Sequence, residues 1–123
     1  MQVELSVITP ARNERANLRE LVSRVAAAAE STGMTYEHII IDNASNDGSE
    51  ELLRELAGRD SRVKVIFNLH DYGPVRSPMY ALLQASGRCV IGLHADFEDP
   101  PELIPRLVEE WKRGAWVVLL VER

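Results

Sequence analysis

The sequence predicts an α/β fold in which a mostly parallel sheet carries helices on both faces. Three observations predict it. Five short apolar runs alternate with four stretches of helical periodicity, in the order β-α-β-α-β-α-β-α-β. The runs are continuously apolar, as strands buried on both faces are, rather than alternating with polar residues. Polar and turn-forming residues gather where the runs end, the place where open α/β sheets take their ligands. Strands joined through helices in this way need right-handed crossovers.

Each element has a local reason. Residues 5–8 (Leu-Ser-Val-Ile) form a β run that Thr9-Pro10 ends. From Asn13 the pattern turns helical, with Leu18, Leu21, Val22, Val25 and Ala29 at helical spacing. That helix stops near Ser31-Thr32-Gly33, with Gly33 as the residue after its C-terminus. Residues 38–41 are a second strand, ending at Asp42 and followed by the turn-rich Asn43-Ala44-Ser45-Asn46-Asp47-Gly48. Ser49 is placed to cap the next helix. Glu50 and Glu51 suit the positive end of its dipole, and Leu52, Leu53 and Leu56 form its inner face. Residues 63–67 are a third strand. A loop through Asp71-Tyr72-Gly73-Pro74 then leads to a helix over residues 78–86, ended by Gly87. Residues 89–93 are the fourth strand. Asp99 and Glu102 read as a capping box for a last helix with Ile104, Leu107, Val108 and Trp111 inside and Gly114 at its end. Residues 116–121 read as a fifth strand. Nothing after it covers its edge, which allows a homodimer through that C-terminal edge strand.

The bulk properties narrow the function. With 123 residues, 46% of them hydrophobic and 27% charged, the chain suits one domain with one core. A formal net charge of −5 argues against a nucleic-acid binder. The single cysteine, Cys89, lies inside an apolar run and reads as a buried thiol rather than a nucleophile. No signal-peptide pattern and no apolar stretch of roughly 18 residues is present, so a cytoplasmic location without a membrane span in residues 1–123 is expected. There is no internal repeat, linker or low-complexity segment.

The segment Leu93-His94-Ala95-Asp96-Phe97-Glu98-Asp99-Pro100-Pro101 carries the chemistry. If the strand continues, His94, Asp96 and Glu98 fall at alternate positions and point the same way. An imidazole and two carboxylates on one side could hold a divalent metal. The loop after the first strand contains no glycine, so the glycine-rich dinucleotide fingerprint is absent, and no phosphate-binding P-loop occurs. Phosphates bound here would need a metal bridge instead.

Several motifs resemble family 2 glycosyltransferases with the GT-A fold. Pro10-Ala11-Arg12-Asn13-Glu14 is similar to that family's P-x-Y-N-E. Ile40-Ile41-Asp42-Asn43-Ala44-Ser45-Asn46-Asp47-Gly48 resembles V-V-D-D-x-S-x-D-G, and His94-Ala95-Asp96-Phe97-Glu98-Asp99-Pro100-Pro101 resembles D-A-D-L-Q-D-P-P. The segment from Tyr72-Gly73 to Gly87, with Arg76-Ser77-Pro78, resembles the family's N-F-G loop and following helix. The branch is that of dolichol-phosphate mannose synthases and bacterial prenyl-phosphate or polysaccharide glycosyltransferases. The resemblance implies a Rossmann-like, nucleotide-binding GT-A half, with residues 1–123 as a single nucleotide-sugar-binding domain, shorter than the family's full length.

By motif match, the resemblance assigns Pro10, Ala11, Glu14 and Asp42 to the base and ribose of a UDP- or GDP-sugar. It assigns His94, Asp96 and Glu98 to Mn²⁺ or Mg²⁺ and, through the metal, to the diphosphate. The plain alternatives are a helix-start acid for Glu14, a loop cap for Asp42 and a strand-end cap for His94. The chain also departs from the pattern. His94 replaces an aspartate and Glu98 a glutamine, which preserves the formal charge of the trio; the imidazole favours Mn²⁺ over Mg²⁺. Asn43 stands where a second aspartate is usual. His70 and Asp71 stand where an arginine and an asparagine are common, and the alternative for both is a solvated loop. The family's acceptor site and catalytic base lie in the half beyond these motifs, so no base is assigned. The resemblance implies transfer of a sugar from the donor to a lipid-phosphate or glycan acceptor. The competing reading is a truncated, diverged nucleotide-binding or interaction module without turnover. A receiver-like module with an acidic Mg²⁺ pocket fits less well, because no lysine follows a late strand; Lys64 and Lys112 lie elsewhere.

Overall fold

A computed structural model describes residues 2–71, 80–98 and 100–114. The expected fifth strand, the segment 72–79 and Asp99 lie outside these residues. Four strands, β1 (Leu5–Ala11), β2 (Tyr36–Asn43), β3 (Val63–Asn68) and β4 (Cys89–Gly92), form one sheet in the order β3-β2-β1-β4. All three pairings are parallel, as the continuous apolar runs predict. The helices are α1 (Arg15–Ser31), α2 (Ser49–Arg59) and α3 (Ile104–Lys112). A short 3₁₀ turn over Pro101–Leu103 leads into α3.

Strand alternation divides the interior into two layers. Leu5, Val7, Ile40, Val63, Cys89 and Ile91 pack with Leu18, Leu21 and Val25 of α1, Leu53 of α2, and Ile104 and Val108 of α3. On the other face Ile8, Ile39 and Ile41 pack against Ala81, which belongs to a helical stretch at residues 80–83. Both faces are therefore covered. Burying a side chain the size of Leu or Ile contributes about 1.5–3 kcal/mol, so these two layers are the main favourable term.

Two helix starts differ from expectation. Gly48 (φ 89°), not Ser49, occupies the position before α2, and Ser49 is the first helical residue. Asp47 Oδ1 accepts hydrogen bonds from the Ser49 N–H (3.0 Å) and Oγ–H (2.5 Å), so the acid two residues upstream does the capping. Before α3 the chain winds a 3₁₀ turn; the expected cap Asp99 lies outside the described residues, and the Glu102 carboxylate takes the Arg24 guanidinium of α1, 78 residues away in sequence, through both oxygens. Gly33 (φ 74°) ends α1 as expected, its N–H bonded to the Glu30 carbonyl.

Among the described residues the buried polar side chains of the sheet lie on β1 and β2. Glu37, 1% exposed, accepts from Ser6 Oγ (2.6 Å), Ser86 N (2.7 Å) and Lys64 Nζ (2.7 Å). Burial alone would raise its pKa, but these three donors outweigh burial and lower it. Ser6 Oγ in turn accepts from the Gly87 N–H at 2.8 Å. On the opposite face His38 is buried and shares a 2.8 Å hydrogen bond with Thr9 Oγ1 through Nε2. Its Nδ1 has no partner among the described residues. Burial pushes the His38 pKa down to about 3.

Two tests follow from this packing. A Cβ at Gly87 would lie 2.7 Å from Ser6 N and 2.9 Å from the Leu5 carbonyl carbon, both backbone atoms that cannot step aside. Gly87→Ala should cost about 2–3 kcal/mol in urea unfolding. For His38 the sign runs toward acid instability. The unfolded imidazole takes a proton near pH 6.5, while the folded one refuses it until about 3. Stability should therefore fall as pH drops from 6.5 to 5, by about 1.4 kcal/mol per pH unit once the unfolded histidine is protonated. His38→Gln should flatten that slope in pH-dependent unfolding.

Candidate functional site

The strand order has one reversal. From β1 the chain adds β2 and then β3 on one side, and returns to place β4 on the other. In open parallel sheets such a reversal is where a ligand-binding crevice forms, here outside the carboxyl ends of β1 and β4. The loop 12–14 after β1 and the segment 93–98 after β4 flank it, and the loop 44–48 after β2 adjoins it.

Backbone conformation marks the same three loops. Asn13 (φ 54°), Ala44 (φ 57°) and Phe97 (φ 63°) are the non-glycine residues in the left-handed region among the described residues. One follows each of β1, β2 and β4. Such conformations cost on the order of 1 kcal/mol each and persist only where surrounding contacts impose them.

Those contacts can be named. The Asn13 N–H donates to Ser45 Oγ (2.8 Å), and Asn13 Oδ1 accepts from the Asn46 N–H (2.9 Å). Asp47 Oδ2 accepts from the Arg15 N–H at the start of α1 (3.1 Å). Its hydrogen bonds outweigh the cost of burial and lower its pKa. Asp42, buried at the end of β2, accepts from Ser45 Oγ (2.5 Å) and, more weakly, from the Ser45 N–H (3.4 Å). The loop-cap reading of Asp42 is thus realised. Pro10 is half-buried and Ala11 buried at the end of β1. Glu14 occupies the position before α1 but does not cap it; its carboxylate accepts from Asn17 Nδ2 at 2.9 Å.

A second network joins the ends of β1, β2 and β3. Arg12 Nη1 donates to the carbonyls of Asn43 (2.7 Å) and Ala44 (3.2 Å) and lies 3.6 Å from Asp71 Oδ2. Asn43 Nδ2 donates to Asp71 Oδ1 (2.6 Å), and Asn68 Nδ2 to Asn43 Oδ1 (3.1 Å). Asp71 is exposed, as the solvated-loop alternative has it, and a guanidinium and an amide also reach its carboxylate. Sequence reasoning noted Asn43 and Asp71 separately. Their contact depends on the parallel register that sets Asn43 beside Asn68.

On the β4 side the three expected metal ligands lie on a turn and not on a continued strand. His94, Asp96 and Glu98 are exposed while Leu93 and Ala95 are buried, as alternation predicts. But the strand stops at Gly92, the chain turns at residues 95–96, and Phe97 reverses it. Asp96 Oδ1 accepts the Glu98 N–H (3.1 Å), closing a local turn. Among the described residues no three His, Cys, Asp or Glu side chains gather to hold a metal. An exposed carboxylate with an imidazole two residues away suits a metal that a ligand's own oxygens also coordinate, and does not form a closed protein cage. Arg24 fixes this turn from α1: its guanidinium sits 4.6 Å from the Phe97 ring centre and pairs with Glu102.

Comparison with known proteins agrees with this architecture. The family described as Glycosyl transferase family 2 matches residues 6–122. The undecaprenyl-phosphate 4-deoxy-4-formamido-L-arabinose transferase of Edwardsiella ictaluri is 43% identical over 115 residues, 93% of this chain and 35% of that protein. The transferase of the same name from Aeromonas hydrophila is 43% identical over 121 residues, 97% and 37% of the two chains. The chain thus spans about a third of the length of these curated relatives. Among solved structures, the mannosyltransferase PcManGT of Pyrobaculum calidifontis, in complex with GDP-Man and Mn²⁺, aligns with a TM-score of 0.68 at 22% identity, covering 78% of this chain and 28% of that one. TarS 1-349 of S. aureus, in complex with UDP-GlcNAc, gives 0.66 at 24% identity, covering 76% and 26%. These likenesses show a shared GT-A, Rossmann-like fold.

Asp47→Ala would remove three hydrogen bonds that tie the β2 loop to the starts of α1 and α2. Urea unfolding should register a loss of about 1–2 kcal/mol.

Proposed function

The chain belongs to glycosyl transferase family 2, and we propose that residues 1–123 form a donor-binding domain that takes a UDP- or GDP-sugar together with Mn²⁺ or Mg²⁺. The observation that supports this reading is that the exposed Asp96 turn follows β4 and the loop at residues 12–14 follows its neighbour β1, both at the carboxyl end of the sheet. One side is acidic and suits a metal-bound diphosphate. The other is rich in acceptors and suits a nucleoside.

Each side has a division of labour. Pro10 and Ala11 line the floor at the end of β1. Glu14 and Asp42 supply carboxylate oxygens that accept from ribose hydroxyl or base N–H groups while keeping their contacts to Asn17 and Ser45. Asp96 is the principal protein ligand of the metal, with His94 and Glu98 beside it on the exposed face of the turn. A divalent ion bound there supplies positive charge against the nucleoside diphosphate leaving group. Arg24 holds the turn in place from behind. The relatives named for undecaprenyl phosphate support a lipid phosphate, rather than a glycan, as the acceptor of the whole protein.

Titration calorimetry of UDP and GDP, with and without Mn²⁺, tests the reading. One nucleotide should bind in a metal-dependent way, and Asp96→Ala should weaken it at least tenfold, about 1.4 kcal/mol. Binding of neither nucleotide to the folded protein would sink the donor-site reading and leave a module without turnover.

A further inference from the structure

The Arg24 guanidinium on α1 turns its edges to acids and its face to a ring. Nε and Nη2 donate to the two oxygens of Glu102, the first at 2.9 Å. Nη1 lies 4.0 Å from Glu20 Oε2, one helical turn earlier. The face of the group lies 4.6 Å from the centre of the Phe97 ring. Guanidinium groups pair with carboxylates edge-on and stack on aromatic rings face-on, and here one side chain does both.

Phe97 is the residue that needs holding. Its backbone is left-handed (φ 63°), a conformation that phenylalanine does not favour by itself. It stands between Asp96 and Glu98, and Asp96 Oδ1 accepts the Glu98 N–H at 3.1 Å across it. The conformation at residue 97 therefore decides where the Asp96 carboxylate stands. The ring is packed against the core layer that includes α1, and Arg24 stacks on it from that helix.

The charge of Arg24 is not what the turn receives. A lone guanidinium beside a metal-binding turn would repel a divalent cation; with Glu102 and Glu20 against it, this one adds no net positive charge. Glu102 belongs to the 3₁₀ turn before α3, so the same ion pair ties α1 to the chain beyond the acidic turn. Residue 97 within the turn and residue 102 after it both end on one guanidinium.

We propose that Arg24 is a positioning residue for the metal: by holding Phe97 left-handed it orients the Asp96 carboxylate toward a divalent ion shared with a nucleoside diphosphate, and it touches neither ion nor nucleotide. The proposal rests on the donor-site reading above and goes beyond it, because it places a determinant of metal affinity in α1, outside every loop of the site.

The test uses the whole chain. Arg24→Met keeps the aliphatic stem and removes the guanidinium. It should speed exchange of the Glu98 amide, read by NMR without any ligand, by about fivefold or more where the variant remains folded. It should also lower the Mn²⁺-dependent affinity for UDP or GDP about tenfold or more, while affinity in EDTA stays unchanged. Arg24→Lys keeps the charge but cannot grip both Glu102 oxygens, and should recover less than half of the lost factor. Phe97→Asn accepts the left-handed backbone and should keep the wild-type Mn²⁺ dependence; adding Arg24→Met to it should then cost nothing further. Phe97→Val resists that backbone and should lose Mn²⁺ dependence as Arg24→Met does. If Arg24→Met lowers unfolding stability but leaves the Mn²⁺-dependent affinity intact, Arg24 is a structural brace and the proposal is wrong while the donor site stands. A loss from Arg24→Met that persists in the Phe97→Asn background would show that Arg24 does not act through Phe97, which also overturns it. Equal losses with Mn²⁺ and with EDTA would remove the link to the metal. If the wild type binds neither nucleotide with Mn²⁺, the donor-site reading fails first and the role assigned to Arg24 falls with it.

Discussion

One buried carboxylate sets the relation among all four strands. Glu37 on β2 takes hydrogen bonds from Ser6 on β1, Lys64 on β3 and the Ser86 N–H on the approach to β4. A charge taken out of water in this way is tolerable only if its donors are in place, because leaving it unpaired would cost several kcal/mol. Each donor comes from a different strand or its lead-in. A slip of any of them by one residue would turn its donor to the opposite face of the sheet. The register established at the amino ends of the strands carries through to their carboxyl ends, where the site lies. Asn43 meets Asn68, and Ala11 meets Asp42, because Glu37 has already been satisfied at the other end.

Most of the scaffold was legible in the sequence because continuous apolar runs and helical spacing report directly on burial. The layers built from Leu5, Val7 and Ile40 with α1, and from Ile8, Ile39 and Ile41 with residue 81, follow from those two periods. What sequence reasoning missed is long-range pairing. The Glu102 carboxylate looked like a local cap, yet it is held by Arg24. Ser49 looked like the cap of α2, but it is the first helical residue and Asp47 does the capping from two residues earlier. Asp71 looked like solvated loop, and its partners Arg12 and Asn43 sit 59 and 28 positions away in sequence. The Asn43 contact depends on the parallel register of β2 and β3, and register is not written in any one window of sequence.

The acidic turn after β4 shows a different limit. Polarity alternation did forecast which of its residues face water. It did not forecast the reversal at Phe97, because a left-handed phenylalanine has no sequence signal of its own. Arg24 contacts the Phe97 ring from α1, far away in sequence. The three left-handed residues, Asn13, Ala44 and Phe97, all lie where local preference yields to contacts between distant loops. Local rules failing together at one end of a sheet is the pattern expected where a fold carries its function.

Helix α1 joins the two banks of the crevice. It begins at Arg15, whose N–H is tied to the β2 loop through Asp47, and nine residues later its Arg24 grips Phe97 and Glu102 beside the acidic turn. Nine residues of α-helix measure about 14 Å. The helix therefore works as a fixed caliper. The spacing between the β2 loop and the acidic turn is thereby tied to the length of one helix, in a part of the chain outside both loops.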